Sequence, residues 1–230
     1  MKILKRIFVL CRNLLIALFL FSIALVFVYK YVPVYYTPLM FIRLYNKEAK
    51  EIKHKWVPID RISQSMIQAV MASEDNRFME HHGFDREQIQ KAIDEARSGR
   101  RLRGASTISQ QTAKNVFLWQ GKTMFRKGLE AYFTLLTEWI WGKERIMEVY
   151  LNSIEMGAGI YGVEAAAQVY FAKHAAQLTR NESALLAAIL PNPLKRNPLK
   201  PSPYIQKRQA DILSLMQKIE TVEMGYRKNK

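Results

Sequence analysis

The chain has 230 residues and carries 35 Lys and Arg against 20 Asp and Glu, a formal net charge of +15. Hydrophobic residues make up 49% of the chain, which excludes a disordered protein, and the single cysteine excludes a disulfide framework and a cysteine-rich metal site. The positive charge indicates an anionic partner: nucleic acid, an anionic membrane surface or a phosphate-bearing substrate.

Residues 1–34 are predicted to form a cytoplasmic tip and a transmembrane anchor. The run from Leu14 to Tyr29 has one polar residue, Ser22, and apolar flanks extend it toward the roughly 30 Å of a bilayer core. A basic flank precedes it, which places the amino terminus in the cytoplasm by the positive-inside rule. A cleaved signal peptide and a buried core helix are the alternatives. The flanking bases are Lys2, Lys5, Arg6 and Arg12.

The location predicted for the rest of the chain, outside the cytoplasm, argues against nucleic acid as a partner. It favours anionic lipid headgroups or lipid-linked phosphates instead. Residues 35–58 mix aromatic and basic side chains, which predicts a membrane-proximal segment in the bilayer interface, with a plain linker as the alternative.

Residues 59–225 are predicted to form one mostly helical domain, followed by a basic tail at 226–230. No run of alternating residues indicates a β-strand, and a basic loop holds Arg100, Arg101 and Arg103. The predicted helices run from Asp60 or Ser63 to about Glu80, from about Asp85 to Arg97, from Arg126 to Trp141, from Glu144 to Leu151, from Val163 to Phe171, from a Thr179–Glu182 capping box to Pro191, and from about Tyr204 to Val222.

Glu74 is a candidate general acid or base, because helical spacing places it on an apolar stripe. An apolar environment disfavours an ionised carboxylate and favours its uptake of a proton. The alternative is a carboxylate at a helix end, held by a neighbouring base such as Arg77. The stripe consists of Ile67, Val70, Met71 and Phe78.

Two polar groups further along could bind substrate. The first is a hydrogen-bonding run in Gly104–Gln111, for which a capped, solvated helix start is the alternative. The second is a basic cluster beside Glu130, for which we weigh a pyrophosphate clamp against a surface salt bridge. In the clamp, Glu130 would orient the bases or hold a divalent ion. The candidates are Ser106, Thr107, Gln110 and Gln111 in the run, and Lys114, Lys122, Arg126 and Lys127 in the cluster.

Taken together, these residues resemble the peptidoglycan glycosyltransferase domain of glycosyltransferase family 51. That domain occurs in class A penicillin-binding proteins and in monofunctional transglycosylases. The resemblance covers about residues 56–218, and the sequence shows no transpeptidase domain, which predicts the monofunctional, membrane-anchored type. Five blocks match in order, together with Leu190–Pro193: Glu74–Asp85, Gly104–Gln111, Arg126–Glu130, Lys143–Asn152 and Gly157–Lys173.

The resemblance implies a mostly helical, two-lobed, lysozyme-like domain that polymerises glycan strands. Glu74 would deprotonate the 4-hydroxyl of the acceptor N-acetylglucosamine, which attacks C1 of the donor N-acetylmuramic acid with inversion and expels undecaprenyl pyrophosphate. Glu130 would be the second catalytic carboxylate, on the donor side. The basic residues Lys114, Lys122, Arg126 and Lys127 would neutralise the pyrophosphate, and Ser106, Thr107, Gln110, Gln111 and Asn115 would line the cleft.

The same resemblance implies assistance from a divalent cation such as Mg²⁺ and no organic cofactor. Its implied partners are lipid II, the lipid-linked growing glycan, membrane lipids and other cell-wall synthesis or division proteins, without nucleic acid. The implied location is the bacterial inner membrane, with the catalytic domain on the periplasmic side.

Two residues depart from the family pattern, since Ala172 and Ala105 each stand where a glycine is common. Both lie outside the carboxylates and the clamp, so we expect local changes of backbone shape. Two other functions are weighed. A lysozyme-like hydrolase or lytic transglycosylase would not need the Arg126–Glu130 clamp, and a non-enzymatic scaffold would tolerate replacement of Glu74.

Overall fold

A computed structural model describes residues 2–99, 104, 106–219, 222, 224 and 225. The described chain is mostly helical, which confirms the predicted fold class. The predicted basic loop at Arg100, Arg101 and Arg103, the departure at Ala105 and the tail at 226–230 lie outside the described residues.

Helix α1 (Lys2–Tyr31) is long and apolar enough to cross a membrane. Its 30 residues extend about 45 Å, which exceeds the hydrocarbon core of a bilayer. Most of its side chains are exposed, but Val26 is fully buried against the rest of the protein. There the Trp141 indole donates a hydrogen bond to the Val26 carbonyl (2.7 Å), and the Arg145 guanidinium donates to the Tyr29 carbonyl. Helix α1 is therefore fastened to the domain near its carboxyl-terminal end.

The membrane-proximal segment folds onto the domain. Helix α2 (Pro38–Tyr45) carries Arg43, whose guanidinium donates to both carboxylate oxygens of Glu155, at 3.0 and 2.9 Å. The segment then forms strand β1 (Lys53–His54), which pairs in parallel with strand β3 (Ile160–Tyr161). Strand β2 (Glu155–Gly157) pairs antiparallel with β3, giving the order β1-β3-β2. These strands are too short to show an alternating pattern in the sequence.

Within the described residues, eight further helices build the domain around one main core. Helix α3 packs on α9 and α10, whereas α5 packs on α6 and α7. Short 3-10 turns occupy Ile59–Arg61 and Ala175–Gln177. The bounds are α3 (Gln64–Glu74), α4 (Arg86–Arg97), α5 (Ile108–Phe117), α6 (Met124–Ile140), α7 (Lys143–Ser153), α8 (Val163–Phe171), α9 (Arg180–Ile189) and α10 (Pro203–Lys218).

Side-chain caps start several of these helices. The predicted capping box at the start of α9 is confirmed, because Thr179 and Glu182 bond each other's backbone N–H groups. Asp85 caps α4 by accepting a hydrogen bond from the Gln88 N–H. Ser63 precedes α3 as predicted, but its hydroxyl donates to the Leu178 carbonyl instead of capping the helix.

Two predicted helix ends are wrong. The first helix ends at Glu74 instead of about Glu80, because Asp75 leaves the helical region and its carboxylate accepts a hydrogen bond from the Ile108 N–H of α5. The helical spacing of apolar residues continues to Phe78, which is buried, but this tertiary contact ends the helix before it. The last helix ends at Lys218 instead of Val222.

Candidate active site

Glu74 is the last residue of α3, and its side chain is only 13% exposed. Its Oε1 accepts hydrogen bonds from the Ser73 hydroxyl (2.9 Å) and from Nη2 of Arg208 (3.4 Å). Its Oε2 accepts from Nε2 of Gln111 at 3.2 Å. The base beside this carboxylate is thus Arg208 of α10. Arg77, the neighbour considered from the sequence, forms its ion pairs with other carboxylates.

The turn after Glu74 is fixed to the beginning of α5. Asp75 is 7% exposed, and its carboxylate accepts hydrogen bonds from the Ile108 N–H (3.0 Å) and from His81 Nε2 (2.9 Å). A carboxylate is favourable at this position because the amino terminus of a helix carries partial positive charge. Asp75 therefore holds α5 in a fixed position beside the end of α3, next to Glu74.

The hydrogen-bonding run beginning at Gly104 divides into two kinds of residue. Thr107 and Gln110 are buried and form a capping box that starts α5. Ser106 is exposed ahead of the helix. Gln111, one residue past the capping box, donates a hydrogen bond to Glu74. Asn115 lies one turn further on and is 6% exposed. The structure thus gives Thr107 and Gln110 a structural role in placing α5.

Arg126 and Glu130 lie on the buried face of α6, at 7% and 3% exposure, so the surface salt-bridge alternative is wrong for this pair. Nη1 of Arg126 donates to Oε2 of Glu130 at 2.7 Å, and Lys127 donates to Oε1. Nε of Arg126 donates to the Gly121 carbonyl (2.7 Å), which fixes the guanidinium from its other side. Buried charges such as these interact more strongly than charges in water.

Lys114 reaches this cluster from α5. Its pKa lies below the usual 10.5, chiefly because burial disfavours the charged amine and also because Arg126 and Lys127 repel it, while Glu130 acts in the opposite direction. Because α5 packs on α6, Lys114 lies on the helix next to the one that carries these three residues. Lys122 lies exposed in the loop that precedes α6.

One face of α5 connects the two carboxylates. Gln111 and Lys114 are three residues apart, so they lie on the same side of the helix, about 4.5 Å apart along its axis. Gln111 contacts Glu74, and the charges of Glu130 and its two cationic partners affect the pKa of Lys114. The site thus combines a carboxylate that can accept a proton with a cluster of cations that can stabilise an anion.

The described residues do not form a metal site by themselves. They contain no group of three or more His, Cys, Asp or Glu side chains that could hold an ion. Both Glu130 oxygens already accept hydrogen bonds from cationic side chains. A resident divalent cation at Glu130 does not fit this donor set.

Sequence reasoning missed two residues near Glu74. Arg208 lies 134 positions away in the chain, and nothing in the sequence distinguishes it from the other bases of α10. Tyr150 is completely buried on α7, and its hydroxyl donates to Oε1 of Gln111 at 3.2 Å. The only available signal for Tyr150 was its place in the matching block Lys143–Asn152.

Comparison with known proteins identifies the family of this chain. The family model described as Transglycosylase matches residues 42–217. The chain is 56% identical over 207 residues to a biosynthetic peptidoglycan transglycosylase of Caulobacter vibrioides, covering 88% of this chain and 90% of the relative. It is also 56% identical over 216 residues to the protein of that name from Bacteroides thetaiotaomicron, covering 92% and 87%. This chain therefore belongs to the transglycosylase family.

Proposed function

We propose that this protein is a membrane-anchored peptidoglycan glycosyltransferase that polymerises glycan strands from lipid II. One observation carries the proposal: Gln111, which contacts Glu74, and Lys114 lie on one face of α5, and α5 packs on the helix that carries Arg126 and Glu130. Transfer of a sugar from a pyrophosphate carrier requires both a base for the attacking hydroxyl and cations for the leaving group.

Glu74 is the general base of the proposed reaction. It takes the proton from the 4-hydroxyl of the lipid II N-acetylglucosamine while that oxygen forms a bond to C1 of the donor N-acetylmuramic acid. The bond between C1 and the pyrophosphate oxygen breaks, and undecaprenyl pyrophosphate leaves with the bonding electrons. Attack from the face opposite the leaving group inverts the α-linked donor to a β-1,4 product.

The cluster on α5 and α6 receives the leaving pyrophosphate in this proposal. Lys114, Arg126 and Lys127 supply positive charge, and the buried carboxylate of Glu130 holds the latter two in place. Lys122, exposed before α6, extends the positive surface outward. Ser106, Gln111 and Asn115 line the cleft, and the capping box of Thr107 and Gln110 fixes the helix that carries the last two.

We also propose that the protein is held in the bacterial inner membrane by α1, with its catalytic domain on the periplasmic side. The basic residues at the beginning of α1 support this orientation. Several large apolar side chains remain exposed on and just before α6, and those within the helix lie on the side opposite Glu130. Such a surface beside an anchor fits the outer leaflet of the bilayer. It consists of Trp119, Met124, Phe125, Leu135 and Trp139.

The test is polymerisation of purified lipid II by the detergent-solubilised full chain, compared with Glu74→Gln and Glu80→Gln variants. Glu80 lies in the turn that follows Glu74 and is largely exposed, so it is the matched control. We expect long glycan strands from the parent and from Glu80→Gln, and a loss of about a hundredfold or more with Glu74→Gln.

Three results would contradict the proposal at different levels. Strands formed by Glu74→Gln at the parent rate would refute Glu74 as the base. Fragments released from finished peptidoglycan, without strands from lipid II, would indicate a hydrolase. A folded parent that binds lipid II and does neither would indicate a scaffold.

A further inference from the structure

The two carboxylate oxygens of Glu74 have different surroundings. Among the described residues, Oε1 accepts hydrogen bonds from the Ser73 hydroxyl and from Arg208, whereas Oε2 faces the amide of Gln111. Arg208 also donates to the Ser73 hydroxyl at 2.9 Å, so these three residues form one connected group. Oε2 has fewer protein donors, which leaves it the better placed of the two oxygens to accept a proton.

The orientation of the Gln111 amide decides whether its NH₂ group or its carbonyl oxygen faces Oε2 of Glu74. An amide presents NH₂ on one side and a carbonyl oxygen on the other. With Nε2 toward Glu74, the amide donates to Oε2 at 3.2 Å and also to the Ser106 carbonyl at 3.4 Å. The flipped amide would place its oxygen against the carboxylate, where two acceptors repel each other. A donor on the far side of Gln111 would therefore fix the productive orientation.

Tyr150 is that donor. Its hydroxyl reaches Oε1 of Gln111 at 3.2 Å, and its side chain is completely buried on α7. Burial, with smaller contributions from Glu74 and Asp75, raises the pKa of Tyr150 well above its usual value, so the phenol keeps its proton. A fully buried phenol is shielded from the sugar, and its hydrogen bond to Gln111 connects it to Glu74.

We infer that Tyr150 is a positioning residue for the general base: its hydroxyl orients Gln111, which in turn fixes Oε2 of Glu74 toward the acceptor hydroxyl. This inference rests on the proposed function, in which Glu74 takes that proton. Arg208 fixes the other oxygen from α10, so the carboxylate is held from both sides. Three helices, α5, α7 and α10, thus converge on one carboxylate at the end of α3.

The test compares Tyr150→Phe with the parent in lipid II polymerisation. The change removes one oxygen and keeps the buried ring. Since small displacements of a reacting group cost up to about a hundredfold in rate, we expect kcat to fall roughly tenfold or more. We expect KM for lipid II to change less than about twofold, because Tyr150 lies outside the cleft and the transition state alone is affected.

Tyr161→Phe is the matched control. Tyr161 is also completely buried, and its hydroxyl donates to a carboxylate, that of Glu155, at 3.3 Å. We expect this variant to keep the parent kcat even where its melting temperature falls. A melting temperature for each variant separates loss of folded protein from loss of rate. Should Tyr150→Phe not fold, Gln111→Met removes the amide that links Tyr150 to Glu74, and we expect kcat to fall to a similar extent. An unchanged kcat for Gln111→Met would overturn the inference; its KM is not compared, because Gln111 itself lines the cleft.

A double-variant measurement distinguishes positioning from general damage. In a Glu74→Gln background the base is already gone, so we expect Tyr150→Phe to leave the residual rate unchanged. A further drop there, or a kcat for Tyr150→Phe equal to that of Tyr161→Phe in the Glu74 protein, would overturn the inference. A fully active Glu74→Gln variant would instead overturn the proposed function, so the two failures are distinct.

Discussion

Replacing Glu130 with Gln should destabilise the protein strongly, although the two side chains have nearly the same shape. Glu130 and Arg126 are 4% and 9% exposed in their side chains, and 2.7 Å separates the bonded atoms. The amide can accept a hydrogen bond from Arg126, but its NH₂ group would then face Lys127, another donor. Removing one partner of a buried ion pair costs about 3–5 kcal/mol, because the remaining charge is left without compensation.

Lys127→Met is the control for this prediction. The Lys127 side chain is 43% exposed, so water stabilises its charge and its pairing with Glu130 is worth no more than about 1 kcal/mol. Thermal unfolding of the detergent-solubilised protein, followed by circular dichroism, measures both variants. At about 2–4 °C per kcal/mol, Glu130→Gln should lower the melting temperature by roughly 10 °C, and Lys127→Met by less than about 4 °C.

The double variant Arg126→Met with Glu130→Leu separates stability from activity. Exchange of a whole buried pair for apolar side chains is often neutral or stabilising. We therefore expect it to melt well above Glu130→Gln and to make no glycan, because the clamp is absent. A melting temperature for Glu130→Gln within about 2 °C of the parent would refute the reasoning, since it would mean that water reaches the pair.

Two further predictions concern single residues. Ala172 follows the end of α8 with φ of 53°, a left-handed conformation that costs an alanine roughly 1 kcal/mol. Ala172→Gly removes this cost, although the greater freedom of glycine in the unfolded chain offsets part of the gain. We expect the melting temperature to rise by about 2 °C. A lower melting temperature would contradict this. Because the pKa of Lys114 lies below 10.5, mainly through burial, the parent rate should fall at a lower pH than for an ordinary lysine. Lys114→Arg keeps its charge and should move this alkaline limb of the rate profile upward, and an unchanged limb would mean that another group sets it.

Much of the fold could be predicted because the signals are local. The apolar run of α1, the capping box of Thr179 and Glu182, and the bounds of α8 from Val163 to Phe171 depend on residues within a few turns of each other. The three short strands could not be found in this way. Each is too short for a pattern, and the pairing of Lys53–His54 with Ile160–Tyr161 is a contact between distant parts of the chain.

The candidate site shows the same division. Arg126, Lys127 and Glu130 are neighbours on one helix, so their spacing alone indicates the ion pairs that the structure shows. Whether those pairs lie on the surface or inside cannot be read from spacing, because burial depends on what α6 packs against. The sequence thus identified the residues of the ion pairs, whereas the tertiary structure decided that Arg126 and Glu130 are buried.

By itself the sequence determined that this protein is basic and mostly helical and begins with a long apolar helix, and it indicated Glu74 and a cluster of bases as candidate catalytic and binding groups. Hydrophobic periodicity, caps and charge spacing are properties of short stretches, so they remain visible without a fold. Only the tertiary structure decided what surrounds Glu74. Gln111, Tyr150 and Arg208 come from α5, α7 and α10, and packing alone brings helices so far apart in sequence to one carboxylate.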